Sequence, residues 1–260
     1  MKLRKIVVAG IAFVLPFMVL CFALFHLYED QQEHKKGRDA YEKINQDYVE
    51  DQKDTEDETQ PGESVEEEHL LSIDWDGLLM QYPDVIGWID LPGTGISYPL
   101  VQGMDNSYYL SHLPTKEYAI SGSVFMDYHN APDFTSQNTI LYGHNMKDGT
   151  MFANLDAYQD QAFYQEHPYF YIYVPNGTVL VYQIVSAYTG YTNGIAYTYD
   201  FPSESDFPVF LEKIRSNADY EMTNINMTSK RIVTLSTCTS TSKNTRYLVH
   251  GALVEQKVAN

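Results

Sequence analysis

The chain has 260 residues, with 17 Lys and Arg against 35 Asp and Glu and a formal net charge of −18. Such an acidic protein is not expected to bind nucleic acid, because phosphate contacts are made by clustered Lys and Arg. Two cysteines, Cys21 and Cys238, are too few for a disulfide framework or a thiolate zinc site, and no cofactor or metal is expected.

From the N-terminus, residues 6–28 contain no Asp, Glu, Lys or Arg. At about 1.5 Å rise per residue they are long enough to cross a hydrocarbon layer of about 30 Å, and they are read as one transmembrane helix. Pro16 is tolerated in such a helix, and His26 lies beside Tyr28 near the interface. Lys2, Arg4 and Lys5 precede the run and mostly acidic residues follow it, which orients the N-terminus to the cytoplasm and everything after Tyr28 to the outside. A cleaved signal peptide fits less well, since the run exceeds a typical signal core and no small-residue cleavage site follows. Leu20 is too bulky to precede a lipidated Cys21, which is read as one more apolar residue.

Residues 29–69 hold 16 acidic and 5 basic side chains, whereas residues 70–260 hold 19 and 9. The first stretch cannot bury enough apolar surface to offset its chain entropy and reads as an acidic stalk or linker. Within it Tyr41, Ile44 and Tyr48 have helical spacing. At residue 70 the composition changes, and the domain expected over 70–260 opens with one or two short helical turns around Leu70 to Leu79, with Ser72 or Asp74 as cap.

Eight β-rich runs then follow: 85–89, 96–101, 122–126, 139–142, 169–174, 178–188, 231–236 and 246–254. Their number and spacing imply a mainly β fold, a closed or nearly closed eight-stranded barrel. Pro175-Asn176-Gly177 marks a tight hairpin. Two helical insertions are expected, one over Asp148 to Tyr158. The other lies before the cysteine strand, where Ser203 and Asp206 resemble a capping box ahead of Phe207, Phe210, Leu211 and Ile214.

The segment Arg231 to Leu253 reads RIVTLSTCTSTSKNTRYLVHGAL. Alternation sets Ile232, Thr234, Ser236 and Cys238 on one face, with Cys238 at the strand end. A lone cysteine is most often a small buried hydrophobe, but the Ser and Thr around this one suit a hydrogen-bonded site better. Arg246 opens the next strand and, if the two pair as a hairpin, enters the sheet close to Cys238. A cysteine nucleophile needs a proton donor and acceptor. Beyond His34 the candidates are His69, His112, His129, His144, His167 and His250. His144 is favoured because it ends the strand Thr139 to Tyr142 after Gly143, and His250, on the strand of Arg246, is its competitor.

TLSTC at Thr234 to Cys238, Arg246 on the following strand, and LYGHNMKDGTMFANL at Leu141 to Leu155 together resemble a sortase, and specifically the class B type. LPGTGISYPLVQGMDNSYYL at Leu91 to Leu110 and the helix after Ser203 resemble class B as well. The resemblance covers the chain from about Leu70 to its end. It implies a sortase-type β-barrel with N-terminal helices, in a cysteine transpeptidase with Cys238 as nucleophile, His144 as general acid and base, and Arg246 as donor to the oxyanion or substrate. It also implies substrate contacts at Ser236, Asn106, Leu110, Thr192, Tyr197 and Thr237. The substrates implied are secreted proteins with a C-terminal sorting signal, cleaved after Thr and joined to an amine of a lipid-linked peptidoglycan precursor.

Three other readings stand beside this one. The same residues suit a pilin polymerase that uses a lysine side-chain amine. A phosphatase would need five residues between Cys and Arg, and seven intervene here. An anchored, non-enzymatic binding module would use the 22 tyrosines as an adhesive surface.

Overall fold

The computed structural model describes residues 2–51, 70–223, 225, 228–239 and 241–258, without the side chains of residues 2–16, 27, 30 and 51. Residues 52–69, the more acidic part of the expected stalk, lie outside the described residues.

The chain begins with one continuous helix, α1 (Lys2–Tyr48). Among the described residues no helix is long and apolar enough to cross a membrane. Of the charge-free run 6–28, however, residues 6–16 and 27 are without described side chains. The C-terminal part of α1 departs from the expected stalk. Gly37, Tyr41 and Ile44 fall on one face of the helix, and that face lies against the domain. A Cβ on Gly37 would collide with the Ser121 hydroxyl, so a larger residue would have to displace that side chain. Tyr41 is buried, its hydroxyl donating to the Gly122 carbonyl at 2.7 Å, and Ile44 is 1% exposed. These positions, with Lys36 donating to the Tyr118 carbonyl at 2.8 Å, dock the C-terminal part of the helix, whose other faces there are largely polar and exposed.

A two-stranded ribbon follows, β1 (Val49–Asp51) antiparallel to β2 (Leu71–Ile73). Long-range pairing with 49–51 thus makes a strand of 71–73, where helical turns were expected. The turns come afterwards as α2 (Trp75–Gln81), whose cap Asp74 accepts from the Gly77 N–H at 3.1 Å.

The remaining strands are β3 (Val85–Leu91), β4 (Ile96–Gln102), β5 (Val124–Met126), β6 (Asn138–Tyr142), β7 (Tyr169–Tyr173), β8 (Thr178–Tyr191), β9 (Ile232–Cys238) and β10 (Thr245–Val258). They close into a barrel in the order β10-β8-β7-β3-β4-β5-β6-β9. Closure leaves the barrel itself without a free edge strand. Two pairings, β4 with β5 and β6 with β9, are parallel and the others antiparallel. The insertion expected over 148–158 is a 3₁₀ segment at Ala153–Gln159, followed by the short α3 (Gln161–Glu166).

The interior holds the largest apolar cluster, with Trp88, Phe125, Leu141, Val233 and Leu235 among its members. A second cluster sits outside the barrel beneath α4 (Asp206–Ser216). The i, i+3, i+4, i+7 series Phe207, Phe210, Leu211, Ile214 packs there on Val185, Ile232 and Leu248. β8 is therefore buried on both faces from Val179 to Tyr188, and reads as an apolar run broken only by Gln183 and Ser186 instead of an alternating one. Ser203 and Asp206 do meet as the sequence suggests, the Ser203 N–H donating to Asp206 Oδ2 at 2.9 Å. The residue capping α4 is Ser205, without a side-chain cap bond.

If the end of α1 belongs to the folded unit, Ile44→Ala is expected to destabilise the domain by about 2–4 kcal/mol in urea unfolding, the cost of truncating a buried aliphatic chain. A freely solvated stalk would show no change.

Candidate active site

β6 and β9 run parallel, with Tyr142 opposite Ser236, so their C-terminal ends emerge at the same rim of the barrel. Cys238 is the last residue of β9, with an exposed free thiol. β10 returns from that rim antiparallel to β9, and its Arg246 lies directly opposite Cys238. Three hydrogen bonds tie the rim together. The Gly143 N–H donates to the Ser236 carbonyl at 3.2 Å, the Thr237 hydroxyl to the Gly143 carbonyl at 2.9 Å, and Asn145 Nδ2 to the Cys238 carbonyl at 2.8 Å.

His144 is held at both its backbone and its ring. The Phe152 ring packs where a Cβ of Gly143 would be, which requires glycine there, and the Phe152 N–H donates to the His144 carbonyl at 2.9 Å. His144 Nε2 lies 2.7 Å from the Leu110 carbonyl. A carbonyl only accepts, so Nε2 carries the hydrogen and Nδ1 is the nitrogen left for proton exchange. Arg246 is fixed by Nη1, which donates to the carbonyls of Lys243 at 2.9 Å and Thr245 at 2.8 Å. Its other N–H groups remain for a ligand.

Cys238, His144 and Arg246 line one cleft of about 260 Å³, together with Ser236, Asn106 and Leu110. Phe125, Tyr142 and Gly143 complete the lining. Sequence reasoning had not singled out Phe125 or Tyr142 for this role, although Tyr142 stands two residues before His144. Asn145 was missed too, despite adjoining His144.

Three of the expected substrate residues sit differently. Tyr197 is not in the cleft wall but behind it, its hydroxyl 2.8 Å from Ser236 Oγ and its ring stacked on Tyr142. Burial pushes the Tyr197 hydroxyl above its ordinary pKa, so it stays neutral and either hydroxyl of the pair can donate. Thr237 is 1% exposed, and its hydroxyl is spent on Gly143. It alternates with Ser236 and Cys238 and so turns to the opposite face of the strand. Thr192 is exposed at the end of β8, where its N–H donates to the Asn244 carbonyl at 3.0 Å, outside the cleft.

His250 has a different environment. It is 0% exposed, with Nδ1 2.9 Å from the Thr234 hydroxyl and its ring stacked on Tyr188. Burial pulls its pKa down to about 3, so it is neutral at ordinary pH. No nitrogen of such a histidine reaches the cleft. A larger hollow of about 460 Å³ between α1 and the barrel is lined by neither cysteine nor histidine. Among the described residues no cluster of three His, Cys, Asp or Glu could hold a metal.

Residues 89–254 match the family model described as Sortase domain. The chain is 40% identical over 174 residues to sortase B of Listeria monocytogenes, covering 66% of this chain and 70% of that protein. It is 32% identical over 237 residues to sortase B of Staphylococcus aureus, covering 90% of each. The solved structure of a Staphylococcus aureus sortase B–substrate complex superposes with a TM-score of 0.69 at 30% identity, over 86% of this chain and 99% of that one. With the barrel and the cysteine cleft already in place, these similarities establish that the chain belongs to the sortase family, as a cysteine transpeptidase of class B.

Proposed function

We propose that this transpeptidase works from a membrane, joining secreted proteins that carry a C-terminal sorting signal to an amine of a lipid-linked peptidoglycan precursor. The observation that carries the chemical part is the convergence of Cys238, His144 and Arg246 on one cleft from three strands. The Cys238 thiol gives its proton to His144 Nδ1, and the resulting thiolate attacks the carbonyl carbon of a Thr in the signal as the carbonyl electrons move onto oxygen. The free N–H groups of Arg246 meet that oxyanion, where a preorganised donor is worth about 3 kcal/mol. The C–N bond then breaks, the leaving amine takes a proton from His144, and a thioester remains on Cys238. The acceptor amine loses a proton to His144 as it attacks, so the new amide forms and the thiolate departs. Asn106, Leu110 and Ser236 contact the signal peptide, and Tyr197 acts through Ser236.

The membrane part rests on the charge-free run 6–28 behind Lys2, Arg4 and Lys5, which sets the N-terminus in the cytoplasm and residues 70–260, the catalytic part, outside. A tether of this kind keeps the enzyme beside substrates that are themselves held in the membrane.

Mass spectrometry of the protein mixed with a panel of sorting-signal peptides is expected to find an acyl adduct on Cys238 of the wild type and none in Cys238→Ala. His144→Ala is expected to slow acylation by about 10²–10⁴-fold, the usual contribution of a general acid or base, whereas His250→Gln should leave it close to wild type. Equal losses at the two histidines would remove His144 from its role. Arg246→Lys is expected to cost roughly 10²-fold in kcat, since an ammonium cannot hold the loop carbonyls and meet an oxyanion with the same fork of donors. Activity near wild type would leave Arg246 a purely structural part. In cell fractionation the full chain is expected to stay with membranes after an alkaline carbonate wash, and a chain lacking residues 1–28 to be released. Retention of the shortened chain would refute the anchor.

A further inference from the structure

Below the cleft lies a carboxylate that the reaction as written does not use. Asp127 follows β5 and is 0% exposed, yet among the described residues no lysine or arginine pairs with it. Five donors surround it instead. Oδ2 accepts from Asn106 Nδ2 at 2.7 Å, the Tyr142 hydroxyl at 2.8 Å and the Tyr199 hydroxyl at 2.6 Å. Oδ1 accepts from the His129 N–H at 3.0 Å and faces His129 Nδ1 at 2.8 Å. Burial alone would raise this carboxyl, but the bonds from Tyr199, His129 and Tyr142 outweigh it and hold the group below the usual carboxylate range.

Two of the five donors, Asn106 and Tyr142, are themselves walls of the cleft. Asn106 is oriented from both ends of its amide, because Oδ1 also accepts the Tyr128 N–H at 3.0 Å. The carboxylate can only accept and the Tyr128 N–H can only donate, so the two together decide which end of that amide is nitrogen. One N–H of Asn106 points to Asp127, and the second is left for a ligand. Tyr142 is similarly locked, with its hydroxyl on Asp127 and its ring stacked on Tyr197, the residue that holds Ser236.

We infer that Asp127 is a positioning residue for the donor peptide, a buried anion that fixes the Asn106 amide and the Tyr142 ring so that the cleft meets an extended backbone with its hydrogen-bonding groups already set. The inference rests on the donor-peptide reading above. Asp127 touches neither the peptide nor Cys238, and it acts through Asn106 and Tyr142. Its negative charge matters because a neutral amide in its place would accept more weakly and would turn N–H groups of its own toward some of these donors, so Asn106 and Tyr142 would be held less firmly.

The test measures the rate of Cys238 acylation against donor-peptide concentration, beside the rate of Cys238 alkylation by iodoacetamide, which needs no peptide site. Asp127→Asn is expected to raise the peptide concentration for half-maximal acylation roughly tenfold, the scale of one hydrogen bond to a charged group, with maximal rate and alkylation little changed. In an Asn106→Ala background the same substitution should add little, because both changes remove one interaction. Wild-type peptide dependence in Asp127→Asn, or losses that simply multiply in the double variant, would overturn the inference. If Asp127→Asn does not fold, Tyr199→Phe removes one donor to the carboxylate from outside the cleft wall. It is expected to shift the same parameter about threefold, and no shift there would likewise overturn it. A wild-type protein that alkylates but never acylates would instead strike down the donor-peptide reading, and this inference with it.

Discussion

A parallel pair of strands sends both C-terminal ends to the same edge, and the chemistry of this barrel depends on one such pair, β6 with β9. Most of the remaining neighbours are antiparallel and could not bring a residue after one strand to the last residue of the next without a tight turn between them. Here His144 and Cys238 are separated by 93 residues of sequence and still share a rim. β10 then returns from that rim and sets Arg246 opposite the thiol. Register matters as much as direction. A slip of one residue along β9 would turn Thr237 to the cleft and Cys238 to the opposite face. The bonds from Thr237 to Gly143 and from Asn145 to Cys238 hold the register at the end where slippage would do most damage.

The two histidines near the cysteine strand illustrate how environment separates similar residues. His144 stands past a strand end, half-exposed, with one nitrogen committed to a backbone carbonyl. His250 pairs across from Thr234 inside a sealed layer roofed by α4, where burial keeps it uncharged. Its Thr234 partner also donates to Asn138, whose amide in turn holds the carbonyls of Ala196 and Thr198. That chain of polar contacts fastens the loop carrying Tyr197 to the outside of the barrel, and His250 serves it as a packed aromatic ring.

What could be read in the sequence follows from the range of the interactions involved. The eight strands were legible because alternation and turn residues are local signals, and Pro175-Asn176-Gly177 does form the β7–β8 turn, with Gly177 at φ +80°. That Cys238, His144 and Arg246 stand at one rim was legible from their places at strand ends. The alternation that paired Ser236 with Cys238 also excludes Thr237 from their face, so that residue's burial was available from the same rule. Docking of the C-terminal part of α1 was nearly hidden, since a charged helical stretch that buries Tyr41 and Ile44 looks solvated until a partner surface is known. The Asp127 cluster was hidden altogether. Its donors come from positions 106, 129, 142 and 199, and only barrel closure makes them neighbours.

The seat of α1 on the barrel carries a geometric consequence. Between Tyr28, the last residue of the charge-free run, and His34, which already faces Asp148 of the domain, lie five residues of unbroken helix, a rise of about 9 Å from one to the other. With residues 6–28 in a bilayer, as proposed, the barrel would ride on a short rigid post. The cleft would then have one height above the lipid and one facing direction. A substrate would be chosen partly by reach, since its reactive bond must stand off its own membrane segment by the same span.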